Sequence, residues 1–167
     1  SIKSVLIKTN LFLNVGWIGR VMSIAIRKAT IDEILQVQDS IEEFTDNPYT
    51  EQDILARLEG RKYLGLVATD NENLLGFKLG YAKSKTQLYS WLGGVCPLAR
   101  RRGVAQMLLH YQENWARTEG FETIQVKSTN QFRGMLLLLL RNQYDVTEVE
   151  TRQDPADSRI YFVKALT

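Results

Sequence analysis

Three consecutive arginines stand at the start of an apolar helical pattern, in the stretch VCPLARRRGVA of residues 95–105. The start of a helix has unpaired backbone N–H groups and the positive end of the helix dipole, so it can bind an anion. Gly103 would let a ligand approach the backbone, and Arg100, Arg101 and Arg102 would attract a phosphate. A nucleic-acid patch and a solvated helix end are the alternatives, and the stretch alone does not choose among them.

Basic charge is concentrated around this stretch. No Asp or Glu lies between Asn73 and Gln112, where six lysines and arginines stand, whereas acidic residues gather within residues 32–53. The net charge of the whole chain is only +2, which is too small to indicate nucleic-acid binding. The distribution favours one face that binds a polyanion. Uneven surface charge without a function is the alternative interpretation.

The other reactive side chains form no cluster. Cys96 is the single cysteine and His110 the single histidine, so we expect neither a metal site nor an internal disulfide. A reactive thiolate at Cys96, close to the arginines and a helix start, could support covalent catalysis. A small packed thiol is the simpler interpretation of this residue.

The elements that must position these residues alternate between strands and helices. Thr30 and Glu33 have the spacing of a capping box, and apolar residues follow at helical spacing as far as Phe44. The pattern predicts the order β-α-α-β-β-β-α-β-α-β-β, which is a mixed sheet with helices on its faces. Predicted strands cover residues 23–28, 62–69, 74–82, 87–95, 121–127, 144–150 and 159–166, and predicted helices cover 30–44, 50–58, 104–119 and 130–141.

In this order of elements, the arginine stretch resembles the GNAT superfamily of N-acetyltransferases. The mark of that family is [Q/R]-x-x-G-x-[G/A] at the strand-to-helix turn that holds the pyrophosphate of acetyl-CoA. The matching positions and the residues between them are Arg100, Arg101, Arg102, Gly103, Val104 and Ala105. The resemblance covers about residues 23–166. It implies an α/β fold with three α-β-α layers around a mixed, splayed central sheet.

The resemblance also implies the activity and the residues that bind acetyl-CoA. Acetyl would pass from acetyl-CoA to a primary amine, on a small molecule or a protein, by direct attack. Backbone groups of Gly94, Val95 and Cys96 would hydrogen-bond the pantetheine arm, and Asn130, at the start of the last helix, would contact the cofactor. Arg133 could add a phosphate contact, or it could be an exposed helical arginine.

Two catalytic groups that are usual in the family have no counterpart at the matching positions. Many members carry a carboxylate base on the fourth strand, but residues 86–95 contain none. The candidate bases are therefore acidic residues near the first two helices, with Glu42 and Glu43 put forward ahead of Asp46 and Glu51. A water relayed by backbone groups is the alternative. The usual tyrosine acid aligns with Leu137 or Leu139, neither of which can donate a proton. A non-catalytic acyl-CoA-binding module is therefore the second interpretation.

The remaining expectations concern the acceptor and the surroundings of the domain. We expect loops 44–50 and 154–158 to form the acceptor pocket, and the acidic residues near the first helices favour a cationic amine.

Residues 1–21 lie outside the resemblance, before one domain over 22–167. That segment lacks the features of a secretory signal. A transit peptide, an artificial extension and an extra strand remain open for it, and a homodimer is one option that it raises.

No apolar run approaches the length of a membrane span; the longest covers residues 135–140. A single cysteine also fits a reducing compartment. We therefore expect a cytoplasmic protein whose partner is its amine acceptor, with no nucleic acid and no membrane.

Overall fold

A seven-stranded mixed sheet forms the centre of the computed structural model, which describes residues 23–167. Its strands are β1 (Ile24–Lys28), β2 (Tyr63–Asp70), β3 (Asn73–Ala82), β4 (Gln87–Val95), β5 (Thr123–Thr129), β6 (Asp145–Glu150) and β7 (Arg159–Ala165). They lie in the order β1-β2-β3-β4-β5-β7-β6. Neighbouring strands are antiparallel, except that β4 and β5 are parallel. The predictions made for residues 1–21 fall outside the described residues.

Four α-helices cover the two faces of the sheet: α1 (Ile31–Asp39), α2 (Glu51–Leu58), α3 (Val104–Thr118) and α4 (Arg133–Arg141). Because successive side chains of a strand point to opposite faces, Val67 packs with α1 and α2 whereas Leu66 packs with α3. Leu139 of α4 packs with Leu109 of α3. The three-layer α/β fold expected from the sequence is therefore confirmed. None of the helices in residues 23–167 is long and apolar enough to cross a bilayer.

The predicted start of α1 is confirmed, but its predicted end is wrong. The Thr30 hydroxyl accepts from the Glu33 N–H at 3.2 Å, and Glu33 Oε1 accepts from the Thr30 N–H at 3.0 Å. The helix ends at Asp39 because the Ser40 hydroxyl donates to the Val37 carbonyl at 2.7 Å and the last turn tightens. Glu42–Phe44 then form a separate 3-10 turn.

The last helix also differs from the prediction, because it begins at Arg133 rather than at Asn130. The Asn130 side chain donates to the Pro155 carbonyl at 2.9 Å, and its backbone N–H donates to the Ser158 carbonyl at 3.3 Å. These bonds tie the segment before α4 to the turn that precedes β7.

The sheet splits between its two parallel strands. Pairing of β4 with β5 runs only from Gln87 opposite Thr123 to Ser90 opposite Val126. A bulge in the β3–β4 pairing falls at the same level and leaves Trp91 as the extra residue. Beyond Ser90, the groups that β4 directs toward β5 have no strand partner. The splay expected from the sequence is present at this point.

Candidate functional site: a cleft between diverging strands

A cleft of about 710 Å³ opens where β4 and β5 diverge, and we name it the splay cleft. It is lined by the second halves of both strands, by the first turn of α4 and by the segment after α1. The side-chain hydroxyl of Thr129, at the end of β5, is buried in its wall and has no hydrogen-bond partner among the described residues. Buried polar groups are normally paired, so this cleft offers hydrogen bonds to a ligand.

The end of β4 supplies backbone rather than side chains to the splay cleft. A Cβ built on Gly94 would lie 2.5 Å from Ile41 Cδ1, so a glycine here lets the segment after α1 pack on the strand. Gly94 and Val95, the two β4 residues predicted to contact the pantetheine arm, both line the cleft. Cys96 does not: its N–H donates to the Leu75 carbonyl at 2.8 Å and its thiol lies 3.0 Å from the Ser40 hydroxyl.

The turn into α3 has an open, unprotected helix start. Gly103 is the N-cap in the left-handed conformation at φ 77°, and no side chain of residues 23–167 caps the first turn. A Cβ built on Gly103 would meet no atom of the described residues within 4 Å, so the space beside this N-cap is open. Arg101 is also left-handed, at φ 63°. Val104 is 2% exposed and packs into the core, so only its backbone faces this opening, and Ala105 is half-buried.

The three arginines do not point the same way. Arg100 lines the splay cleft, donates to the Val95 carbonyl at 3.3 Å and forms an ion pair with Glu43 at 3.0 Å. Arg102 forms an ion pair with Asp70 at 2.9 Å. Arg101 has no hydrogen bond or ion pair within residues 23–167. Arg100 is therefore the arginine of this turn that charges the cleft itself.

The second candidate phosphate-binding region lies across the cleft, on the segment that leads into α4. Arg133 lines the splay cleft, whereas Asn130 does not, because its amide is bound to the turn before β7. Between them, Gln131 also lines the cleft. The first turn of α4 thus contributes one cation, Arg133, to the cleft.

The structure separates the two candidate bases. Both are exposed residues of the 3-10 turn after α1, but Glu43 lines the splay cleft and contacts Arg100, whereas Glu42 is outside the cleft lining. On α4, Leu139 is buried in the core and Leu137 is half exposed. Neither leucine can supply a proton, as the sequence indicated.

One functional candidate escaped the sequence analysis. Lys78 of β3 is only 7% exposed and lines the splay cleft. Burial lowers the pKa of its ammonium to about 8, and the nearby Glu113 carboxylate opposes that shift only in part. The sequence does place this lysine in the middle of an apolar strand, between Gly76 and Gly80, which could have indicated a buried charge. It was interpreted only as one of the six basic residues of the acid-free stretch.

A second pocket, of about 550 Å³, lies on the α1 and α2 face of the sheet. We name it the arginine pocket after Arg57 and Arg61, which line it together with part of the loop before α2. Arg57 lies over the Trp91 ring at 4.7 Å and donates to the Tyr81 hydroxyl at 3.2 Å, and Arg61 lies over the Tyr81 ring at 4.9 Å. Trp91, the bulged residue, lines both pockets, so the arginine pocket and the splay cleft lie on either side of one residue.

Part of each predicted acceptor loop borders a pocket. Residues 47–49, from the first loop, line the arginine pocket, and Asp154 and Asp157, from the second, line a third pocket of about 660 Å³ beside Arg159. Within residues 23–167, no group of three or more His, Cys, Asp or Glu side chains could hold a metal ion.

These features fit a long anionic ligand such as acetyl-CoA. The diverging strands expose backbone groups for an extended arm, Thr129 adds an unpaired hydroxyl, and the open start of α3 at Gly103 offers N–H groups to phosphates. Arg100 and Arg133 supply positive charge within the cleft. The bound ligand would supply an acetyl thioester, which is an activated acyl donor.

Comparisons with known proteins agree with this geometry. A model of the acetyltransferase (GNAT) family matches residues 29–135. Ard1 from Thermoplasma volcanium is similar in fold, with a TM-score of 0.73 at 17% identity over 87% of this chain and 99% of that one. The ribosomal-protein-S18-alanine N-acetyltransferase from Escherichia coli has a TM-score of 0.73 at 14% identity, over 86% and 94% of the two chains.

A GNAT family acetyltransferase from Elizabethkingia anophelis, solved with acetyl-CoA bound, has a TM-score of 0.64 at 14% identity, over 86% of this chain and 98% of that one. No curated protein matches the sequence. The family model covers well over half of the chain, and the activity expected from the sequence, N-acetyl transfer from acetyl-CoA to an amine, is that of the matched family. The chain belongs to the GNAT family of acetyltransferases.

Proposed function

We propose that the splay cleft and the turn before α3 together bind acetyl-CoA for direct acetyl transfer to an amine. The observation that carries this proposal is the divergence of β4 from β5 after Ser90, which forms a cleft lined as far as Arg100, three residues before the helix start at Gly103. Backbone groups near Gly94 and Val95 orient the pantetheine arm. N–H groups of the first turn of α3 bind the pyrophosphate, and Arg100 adds charge.

Glu43 is the better of the two candidate bases, because it lines the cleft and Glu42 does not. Glu43 forms an ion pair with Arg100, and Arg100 is also proposed to bind the phosphates of CoA. The Glu43 carboxylate and the CoA phosphates therefore compete for the same arginine. Replacement Glu43→Gln should slow acetyl transfer about 100-fold or more if Glu43 removes the amine proton. It should also tighten CoA binding, because Arg100 loses its carboxylate partner.

Glu42→Gln is the matched control, because it removes one carboxylate from the same turn but outside the cleft. Turnover and CoA affinity of the two variants separate the possibilities. A slower Glu43→Gln enzyme with unimpaired CoA affinity supports the base. Equal turnover in Glu43→Gln and the unaltered enzyme would favour a water relayed by backbone groups.

The acceptor is proposed to be an amine whose remainder carries a negative charge. Arg57 and Arg61 of the arginine pocket have no acidic partner within 4 Å among residues 23–167, although aromatic rings and a tyrosine hydroxyl hold them in place. The carboxylate of Asp53 in the same pocket already accepts from the Thr50 N–H at 2.8 Å. This charge pattern argues against the cationic acceptor that the acidic residues of the sequence favoured.

To test this function, the protein is mixed with acetyl-CoA and with pairs of amines whose two members differ only by a carboxylate. Acetyl transfer is followed as the release of free CoA thiol. We expect release with amines, and a higher kcat/KM for the carboxylate-bearing member of each pair. Arg57→Ala should remove that preference while leaving CoA binding intact. CoA binding without thiol release for any amine would support the acyl-CoA-binding module instead.

Three finer predictions accompany this function. A homodimer is tested by light scattering of the full chain, and a cytoplasmic location by fractionation of the source cells. The absence of nucleic-acid binding is tested with duplex DNA. Steeply salt-dependent binding of DNA that CoA does not displace would contradict the phosphate assignment of the arginine turn.

A further inference from the structure

Lys78 is the most unusual charged residue of the splay cleft. A Cβ built on Gly93 would lie 3.7 Å from Lys78 Cγ, so the lysine stem runs beside the glycine of β4 at the level where β4 and β5 have separated. The residue is 7% exposed and its ammonium has no hydrogen bond or ion pair with any residue in the range 23–167.

Its surroundings leave this charge uncompensated. The nearest source of opposing field is Glu113 of α3, whose carboxylate is already paired with Lys164 at 2.5 Å. The other charged side chains that line the cleft are mainly cationic: Arg100, Lys127, Arg133 and Arg159, with Glu43 as the single acid. The side chain is 7% exposed and its ammonium has no anionic partner among residues 23–167, so its position beside the cleft points to a negative charge that forms there.

We infer that Lys78 is the proton donor to the thiolate that leaves during acetyl transfer. This role rests on the proposed function, and it fills the place left by the absence of a tyrosine on α4. As the acceptor nitrogen bonds to the carbonyl carbon, the carbon–sulfur bond breaks and its electron pair goes to sulfur. Lys78 Nζ donates a proton to that sulfur, which yields the free thiol of CoA. The proton lost by the acceptor nitrogen goes to Glu43, and Lys78 regains its proton from solvent.

The protonation behaviour of Lys78 suits this exchange. Its lowered pKa, about 8, means that the ammonium is still mostly protonated at neutral pH but gives up its proton far more readily than an exposed lysine. Arginine, in contrast, keeps its proton under all ordinary conditions. Among residues 23–167, two lysines line the cleft, and Lys78 is buried whereas Lys127 is exposed.

The first test measures the ionisation of CoA thiol bound to the protein, without any acceptor. The ultraviolet absorbance of the thiolate is followed against pH for the unaltered chain, Lys78→Met and the matched cleft variant Lys127→Met. Because an opposite charge at close range stabilises a thiolate, we expect the ionisation constant of bound thiol to fall about tenfold or more in Lys78→Met and to change little in Lys127→Met. Equal ionisation in all three proteins, each binding CoA, would overturn the inference.

The second test uses turnover and protein mass. Lys78→Met and Lys78→Arg should both lower kcat with little change in KM for acetyl-CoA, because neither side chain can pass on a proton. Lys78→Met should also raise Tm in the absence of CoA, since it removes a buried charge. A mass gain of one acetyl group at Lys78 that tracks turnover would instead make the lysine an acyl acceptor and refute proton donation. Failure of the unaltered chain to bind CoA would refute the proposed function itself.

Discussion

Substitution of Gly103 can test whether the start of α3 binds the CoA phosphates, separately from any effect on the stability of the fold. Gly103 and Gly120 stand at opposite ends of α3, both in the left-handed conformation, at φ 77° and φ 86°. A Cβ on either would meet nothing within 4 Å. Leucine at either position therefore adds the same backbone strain, about 1–2 kcal/mol, and should lower Tm by about 2–8 °C.

Only one of the two leucines would stand where the pyrophosphate is proposed to bind. A side chain at Gly103 fills the open space above the first turn of α3, so it should displace one charge-assisted hydrogen bond or more, each contributing about 1.5–3 kcal/mol. That loss corresponds to an increase in Kd for CoA of roughly 10- to 150-fold. Gly120 lies about 22 Å away along the 15-residue helix, too far to affect the site.

Isothermal calorimetry with CoA and thermal unfolding of both variants provide the comparison. Gly103→Leu should lose affinity and Gly120→Leu should keep it, with similar decreases in Tm. An unchanged Kd in Gly103→Leu would remove the phosphate site from the start of α3. Equal losses of affinity in both variants would mean that strain in α3, rather than contact with the ligand, controls binding.

Two further predictions concern the elements that support the site. Gly94→Ala would place its Cβ 2.5 Å from Ile41 Cδ1, the far end of a side chain that can rotate away, so it should lower the free energy of unfolding by only about 1 kcal/mol in urea denaturation. A loss of about 3 kcal/mol would show that the buried Ile41 side chain has no room to rotate. Glu33 has a pKa lowered to about 2, first by its hydrogen bonds from Arg27 and then by the Thr30 N–H. A depressed pKa in the folded state means stabilisation that is complete above the unfolded-state value, about 4.3, and is lost as pH falls toward 2. Glu33→Gln should therefore lower Tm at neutral pH, and the difference should vanish in melts near pH 2; a constant difference would contradict the assignment.

Local signals made much of the fold predictable. The capping box at Thr30 satisfies backbone groups within four residues, so its sequence pattern is enough to place the start of α1. The start of α3 after Gly103 was predictable for a similar reason, because a left-handed residue before a helix favours glycine through local backbone sterics alone. The order of elements around that turn was predicted from the same local patterns, and it was this order that made the motif indicative of the family.

Features that depend on distant segments were not predictable. The start of α4 depends on bonds from Asn130 to a turn 25 residues away. The ion pair of Glu43 with Arg100 joins residues 57 positions apart. Lys78 looks like any basic strand residue until β4 and β5 diverge beside it, because burial is a property of the packed sheet.

A crystal structure of the protein with CoA is the most direct measurement of the central claim. We expect the pyrophosphate to lie against the N–H groups that follow Gly103, with Arg100 released from Glu43, and the pantetheine arm to lie beside Gly94 between β4 and β5. CoA bound in the arginine pocket, or anywhere that leaves the splay cleft empty, would contradict it.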